Sequence, residues 1–327
     1  ADIYIVCVPT PKKGNKSDLT FIENSIKLIA NEIEDYSLVI LESTVPIGTT
    51  KNFANILLNL RKDLNEERIF FAHCPERVLP GNAIFEIKNN DRVIGGINKK
   101  STELAVNIYK KFSKGKIFKT NSNTAEMVKL SENTFRDVNI ALANELARIA
   151  ENHEVDIKNV IELANKHPRV KIHKPGIGVG GHCIPIDPYF LIESIKYKKS
   201  VIQASREVNI NQESHILEKI KRKIINIKEK KIIYFYGLTY KANVGDFRES
   251  PALRIVKNVG QLYIDKQIFA IDPFLKDKKK EGKISYEKNI VFQKNSIIFV
   301  MVSHLEFKKY LTNINLNEQN IEIIDLT

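Results

Sequence analysis

Residues 173–190, His-Lys-Pro-Gly-Ile-Gly-Val-Gly-Gly-His-Cys-Ile-Pro-Ile-Asp-Pro-Tyr-Phe, place one thiol and one carboxylate four positions apart. Cys183, presented by a glycine-dense loop and followed by Asp187, is a candidate nucleophile. Eight of the 21 residues from Pro168 to Pro188 are Gly or Pro, although the whole chain holds only 14 Gly and 11 Pro. The stretch is therefore read as neither helix nor strand, with glycines free for positive φ and close approach to a ligand. The plainer alternative for Cys183 is a small buried hydrophobe, as most lone cysteines are. Lys129 and Asn133 lie four apart on one face of an expected helix, either solvated or aimed at a substrate oxygen. Pro9-Thr-Pro11, Ser43-Thr-Val-Pro46 and His73-Cys-Pro-Glu-Arg77 are turns rich in hydroxyls, prolines and charge. Within them Thr44 could simply cap a helix and Glu76 could be a surface carboxylate. Three such turns on one sheet edge argue for a site. Lys241 and Arg248 flank a helix start at Ser250-Pro251, where cations and backbone N–H groups can meet phosphates.

The elements that must carry these residues alternate. Ile3–Val8 is an unbroken apolar run, expected as a fully buried strand of a parallel sheet. An amphipathic helix follows, with Ile22, Ile26, Ile29 and Ile33 on one stripe and Thr20/Glu23 as a capping box. Leu38–Leu41, Ile69–Ala72 and Val93–Ile94 continue as strands, with a helix near 101–113. From Asn121 to His167 there is neither Gly nor Pro. That predicts a long helix over 123–152, started by Asn123/Glu126 and packed through Met127, Leu130, Val138, Ala141, Leu142 and Leu146. A second helix runs to about Lys166, and further helices after the glycine loop reach about Ile227. Lys231–Gly237, Ile268–Ile271, Ile297–Val302 and Ile321–Ile324 restart the strand pattern, and Ser250 is the expected N-cap of a helix at Pro251. The expected fold is α/β, with two Rossmann-like doubly wound domains joined by a central helical region with one long helix. The expected divisions are 1–120, 121–227 and 228–327. In such sheets ligands sit at the carboxyl ends of the strands, where the three polar turns fall.

At 327 residues the chain suffices for two or three domains. Its 51 basic and 39 acidic residues give +12, a balance that suits nucleic acid, an anionic surface or an anionic small substrate. The tightest lysine clusters, 219–223 and 276–280, lack interleaved aromatics and any nucleic-acid motif, so they read as solvated faces. No apolar run is long enough to span a bilayer. Cys7, Cys74 and Cys183 are odd in number and far apart, which argues against a disulfide framework and for a reducing cytoplasm.

No G-x-G-x-x-G fingerprint precedes the first strand, and Gly176–Gly181 lacks the strand-to-helix context such a motif needs. If the N-terminal region is a dinucleotide domain, on the order of 60–90 residues are expected upstream, given the size of βαβ units.

Six longer strings carry a resemblance. They are Glu42-Ser-Thr-Val-Pro-Ile-Gly-Thr-Thr50, Pro75-Glu-Arg-Val-Leu-Pro-Gly81, Asn90-Asp-Arg-Val-Ile-Gly-Gly96, Thr124–Asn133, Gly180-Gly-His-Cys-Ile-Pro-Ile-Asp-Pro188, and Gly237–Lys241 with Arg248–Pro251. Along essentially its whole length the chain resembles the UDP-glucose/GDP-mannose dehydrogenase family. Pro75–Gly81, Phe135–Ile140, His167-Pro-Arg-Val170 and the His before Cys183 resemble the branch oxidising UDP-N-acetylmannosamine. The neighbouring UDP-N-acetylglucosamine 6-dehydrogenase shares the His-Cys-Ile-Pro-Ile-Asp string.

The resemblance implies a two-step oxidation of the sugar's C6 alcohol to a carboxylate, with NAD as cofactor and no metal. It gives Cys183, Lys129, Asn133, Asp187, Glu76 and Thr44 catalytic roles. Pro9, Thr10, Ser43, Thr44 and Arg248 would meet the cofactor, while Arg169, Lys174, Gly180, Gly181 and Lys241 would meet the substrate. A UDP-sugar substrate and a homodimer or higher homo-oligomer follow from it, with no nucleic-acid or membrane partner. Where UDP-glucose enzymes carry a second carboxylate, four residues after Glu76, this chain has Pro80, so that role does not transfer. The competing readings are a UDP-N-acetylglucosamine enzyme and an inactive nucleotide-sugar-binding protein.

Overall fold

A computed structural model describes residues 1–78, 82–197, 199–226, 231–263, 266–289, 291–312 and 320–327. The expected features at Leu79, Pro80, Gly81 and Ile227 lie outside the described residues. The first part of the chain runs β1 (Ile3–Val6), β2 (Lys12–Lys13), β3 (Lys16–Ser17), α1 (Thr20–Glu32), β4 (Leu38–Leu41), α2 (Thr49–Leu60), β5 (Phe70–His73), α3 (Ala83–Asn89), β6 (Arg92–Gly96), α4 (Lys99–Tyr109) and β7 (Ile117–Asn121). The middle is helical, with α5 (Ser122–Asn152), α6 (Ile157–Ala164), α7 (Asp187–Ile192) and α8 (Val201–Ile225). The last part runs β8 (Ile232–Tyr236), α9 (Pro251–Leu262), β9 (Ile268–Ile271), β10 (Lys279–Glu281), β11 (Ile284–Glu287), β12 (Ser296–Val300), α10 (Leu305–Thr312) and β13 (Ile321–Asp325). Two compact units result, residues 1–135 with 186–198, and residues 136–185 with 199–327.

The first unit is built on a five-stranded sheet of order β1-β4-β5-β6-β7. All of Leu38-Val-Ile-Leu41 is buried, because β4 lies between two strands and under helices; each such side chain contributes on the order of 2 kcal/mol. The sheet is mixed, since β5 and β6 pair antiparallel at Ala72–Gly96 and His73–Gly95. β1 is shorter and more exposed than its composition predicts, with Ile3 39% and Ile5 50% exposed. As the edge strand it pairs with β4 alone, so part of its surface is uncovered.

Two expected helix starts are corrected. No side chain caps α1 from its N-cap; instead Asp18 Oδ1 accepts the Thr20 N–H (3.0 Å) and hydroxyl (2.5 Å). At α5 the Thr124 N–H goes to Asn121 Oδ1 (2.9 Å). Glu126 is fully buried, accepting the Gly48 N–H (2.6 Å), the Thr50 N–H (2.7 Å) and the Thr50 hydroxyl (2.6 Å). It closes the amino end of α2, a long-range use that outranks local capping. Leu130 and Ala141 are core residues as expected, but Met127 and Leu142 are 50% and 45% exposed.

The second unit holds a six-stranded sheet of order β10-β11-β9-β8-β12-β13. Only the edge strand β10 pairs antiparallel. Ile216, Ile220 and Ile224 of α8 pack with Ile255, Val256 and Val259 of α9 on a core that includes Phe235 and Phe299. Ser250 caps α9 through the Leu253 N–H, as expected. The 276–280 cluster ends in the exposed β10, where its lysines are solvated.

Candidate active site

α5 and α7 bring the first group together. The glycine-rich stretch was expected to be loop throughout, but its last residues open α7, with Asp187 in the first turn and Pro188 at a position that needs no N–H. Asp187 is 4% and Asn133 6% exposed, and Asn133 Nδ2 donates to Asp187 Oδ2 at 2.5 Å. Lys129 lies one turn before Asn133, half-buried and without a hydrogen-bond partner among the described residues. Burial raises the Asp187 pKa to about 6, against the lowering effects of the Asn133 bond and the Lys129 charge. A carboxyl poised there can take a proton near neutral pH. The Lys129 charge is also felt at the carboxyl end of β5. There His73, fully buried, has its pKa pushed down to about 3 by burial first and by Lys129 in addition.

Glu76 is half-buried and accepts the N–H groups of Arg77 (2.6 Å) and Val78 (2.7 Å). Arg77 binds Glu132 with Nη2 at 2.6 Å and Nε at 3.2 Å, and donates to Asp91 O. The Glu76 turn is thereby tied to α5 one residue before Asn133. No hydrogen bond joins Glu76 or Thr44 to Lys129, Asn133 or Asp187 among the described residues.

A second group lies at the carboxyl ends of β1 and β4. The Thr10 hydroxyl donates to Thr44 O (2.7 Å) and the Ser43 hydroxyl to Val8 O (2.7 Å), which locks the two turns to each other. Pro9 is exposed, and the half-buried Thr44 hydroxyl has no partner among the described residues. Neutral hydroxyls and prolines at this edge fit the nicotinamide end of a dinucleotide, which offers an amide and ribose hydroxyls. The Cys7 thiol donates to Glu42 at 3.2 Å, and Tyr109 also donates to Glu42. Burial, then Glu42, pushes Cys7 up to about 12, and burial pushes Cys74 up to about 11. Both stay protonated and unreactive. Cys183, by contrast, is exposed and in no disulfide.

The Cys183 loop belongs to the second unit, whose boundary falls between Pro185 and Ile186. Its root is held by buried amides that the sequence reading missed. Asn144 Oδ1 accepts the Gly176 N–H (2.9 Å) and Gln212 Nε2 donates to Gly176 O (2.8 Å). Arg148 occupies Gln212 Oε1 (2.6 Å), Asn144 donates to Asn209 (3.3 Å), and Asn209 and Arg206 both donate to Asp137 (2.9 and 2.5 Å). Each amide thus has one orientation, fixed by a charge at the end of the chain. Asn144→Leu leaves the Gly176 N–H unpaired. Urea unfolding is expected to show a loss of about 1–3 kcal/mol, and turnover to fall about tenfold through a displaced loop.

Further along, a Cβ at Gly180 would lie 2.5 Å from Glu249 O and 2.7 Å from Pro251 Cδ, and one at Gly181 would meet the Tyr240 ring. The glycines let the cysteine loop pack on residues 240–251. Lys174 and Lys241 are exposed. Arg169 lies 3.5 Å from the His167 ring, and Arg248 is folded onto Asp246 with Nη2–Oδ2 at 2.7 Å. Arg248 shares its unit with Lys241 and Cys183, whereas Pro9, Thr10, Ser43 and Thr44 belong to the other.

Three family models match the chain, all of the UDP-glucose/GDP-mannose dehydrogenase family. They are its NAD binding domain over residues 1–113, its central domain over 123–211 and its UDP binding domain over 234–325. A UDP-N-acetyl-D-mannosamine dehydrogenase of Methanocaldococcus jannaschii is 45% identical over 99% of this chain and 75% of its own length. A solved UDP-D-ManNAc dehydrogenase from Pyrococcus horikoshii is similar at a TM-score of 0.85 and 40% identity, covering 99% of this chain and 77% of that one. Cap5O, a UDP-N-acetyl-mannosamine dehydrogenase of Staphylococcus aureus, is similar at 0.86 and 35%, covering 100% and 78%.

Proposed function

The chain belongs to the UDP-glucose/GDP-mannose dehydrogenase family, and we propose that it oxidises UDP-N-acetyl-D-mannosamine at C6 to the uronate with two equivalents of NAD⁺. The observation that carries this reading is the buried Asn133–Asp187 pair beside Lys129, with Asp187 titrating near 6. Cys183 precedes Asp187 by four residues in the sequence. The names of the similar mannosamine enzymes support the choice of sugar.

NAD⁺, when bound, supplies the hydride acceptor for both oxidations. Pro9, Thr10, Ser43 and Thr44 would hold its nicotinamide end. Asp187, through a water ordered with Thr44, takes the proton of the C6 hydroxyl as the alcohol becomes an aldehyde. The Cys183 thiolate then adds to the aldehyde carbon, and the Lys129 ammonium and Asn133 amide stabilise the resulting alkoxide. Loss of the second hydride leaves a thioester on Cys183. Glu76 activates the water that cleaves it, releasing the carboxylate and regenerating the thiol. Covalent capture keeps the aldehyde from escaping between the two oxidations. Arg169, Lys174, Lys241 and the backbone at Gly180 and Gly181 would receive the UDP-sugar, and Arg248 a pyrophosphate.

The matched family ranges support a division into an NAD-binding domain over 1–120, a central domain over 121–227 and a UDP-sugar domain over 228–327. A stripe of exposed Met127, Phe135, Leu142 and Ile149 along α5 supports a homodimer. No helix among the described residues is long and apolar enough to cross a membrane, and a mechanism needing a reduced thiol fits the cytoplasm.

NADH formation measured with UDP-N-acetylmannosamine, UDP-N-acetylglucosamine and UDP-glucose in parallel tests the reading. Two NADH per UDP-N-acetylmannosamine, with slower turnover of the others, is expected. Preference for another sugar would overturn the substrate; silence on all three would favour a binding protein.

A further inference from the structure

The strand order of the second unit's parallel sheet reverses at β8, which pairs with β9 on one side and β12 on the other. In open parallel sheets the crevice at the carboxyl ends of such strands is where ligands bind. Three loops leave those ends, beginning at Gly237, Asp272 and Met301. They are packed tightly: Gly237 has φ +84°, and a Cβ there would lie 2.1 Å from Val302 O.

One buried pair joins all three. Asp272 is fully buried, and its Oδ2 accepts the N–H groups of Leu238 (2.6 Å) and Thr239 (3.2 Å), while Oδ1 accepts that of Phe274 (2.9 Å). His304, 1% exposed, places Nε2 at 3.1 Å from Asp272 Oδ2 and 3.3 Å from Thr239 Oγ1. Its Nδ1 accepts the Asn243 N–H at 2.9 Å. An Nδ1 that accepts must be bare, so the ring proton sits on Nε2 and points at Asp272. Asn243, at φ +61°, returns its side-chain oxygen to the Leu305 N–H at 2.9 Å. The Thr239 hydroxyl donates to Lys241 O at 2.9 Å. Residues 238–243 are therefore fastened at both ends with the exposed Lys241 between them.

We propose that His304 is a positioning residue for diphosphate recognition, fixing the 238–243 loop so that Lys241 and its neighbouring N–H groups face the diphosphate of a bound uridine nucleotide. The proposal rests on the reading that this unit receives the UDP moiety. Nothing about His304 in the sequence announces the role, since it follows a buried strand and reads as a core histidine.

Calorimetric titration of the whole chain with UDP tests it without need of turnover. His304→Leu removes both ring nitrogens and is expected to weaken UDP binding about tenfold or more. His304→Asn keeps an acceptor where Nδ1 stood and is expected to bind within about threefold of wild type. His304→Gln restores the donor toward Asp272 but not the acceptor for Asn243, and is expected to bind as poorly as the leucine variant. Should His304→Leu fail to fold, the Asn and Gln variants alone decide, and equal affinity in the two overturns the proposal. A folded leucine variant that binds UDP as wild type does also overturns it. Absence of UDP binding by the wild-type chain would sink the underlying reading, and the proposal with it.

Discussion

Cys183→Ser is expected to stop formation of the uronate, with turnover falling by about a thousandfold or more. A serine hydroxyl in this position is a far weaker nucleophile than a thiolate. Without covalent capture the second hydride has no thiohemiacetal to leave, so the two-NADH stoichiometry is lost along with the rate. The other two cysteines supply the contrast. Cys7 is held protonated by burial and by its bond to Glu42, and Cys74 is buried beside Arg92 and Tyr109. Cys7→Ser should keep turnover within about threefold of wild type, because its thiol takes no part in the chemistry. Steady-state NADH production and product analysis by mass spectrometry check both variants. More than a few per cent of wild-type uronate formation from Cys183→Ser would remove the thiol from the mechanism.

The cysteine loop was legible because its setting is made of local signals. Glycines and prolines around Cys183 announce a loop that no regular element can absorb, and the loop's packing on residues 240–251 uses that glycine density. The strand-and-turn alternation was legible for the same reason, since apolar runs ending in Pro-Thr-Pro or Ser-Thr-Val-Pro carry their own boundaries. What escaped was long-range. Asn144 and Gln212 lie 68 positions apart, and neither position distinguishes a solvated amide from one that grips Gly176. The only hint is Asn144's place just after the buried alanines at 141 and 143. Glu126 was misread because capping-box spacing is a local rule, whereas its carboxylate answers to Gly48 and Thr50 from another part of the chain. The start of α7 was hidden by Pro185 and Pro188, although Asp-Pro at a helix's first turn is itself a start signal. The exposed side of α5 was missed because periodicity shows that a helix has apolar faces, not which of them the fold covers.

Asp187→Asn should separate stability from activity by moving them in opposite directions. The Asp187 carboxyl has its pKa raised from 3.8 to about 6 in the folded chain, mainly by burial. Below about pH 4 it is protonated whether folded or not, and above about pH 6 it is ionised in both states. Between these limits the folded chain holds a proton that the unfolded chain has released, so stability falls as pH rises through the window. At neutral pH the ionised, desolvated group costs about 3 kcal/mol. Asparagine at 187 removes that cost while its side-chain oxygen can still accept from Asn133. The variant should therefore be more stable than wild type at pH 7, and the gain should shrink as pH approaches 4. Activity should fall about a hundredfold to ten-thousandfold, because the amide cannot take the proton of the C6 hydroxyl. The acid limb of the wild-type rate profile should have its midpoint near 6 and be absent from the residual activity of the variant. Urea unfolding across pH and kcat against pH measure the two effects independently. A variant that is destabilised at neutral pH would show that the carboxylate is held more favourably than its burial implies. Retention of the acid limb would assign that proton to another group.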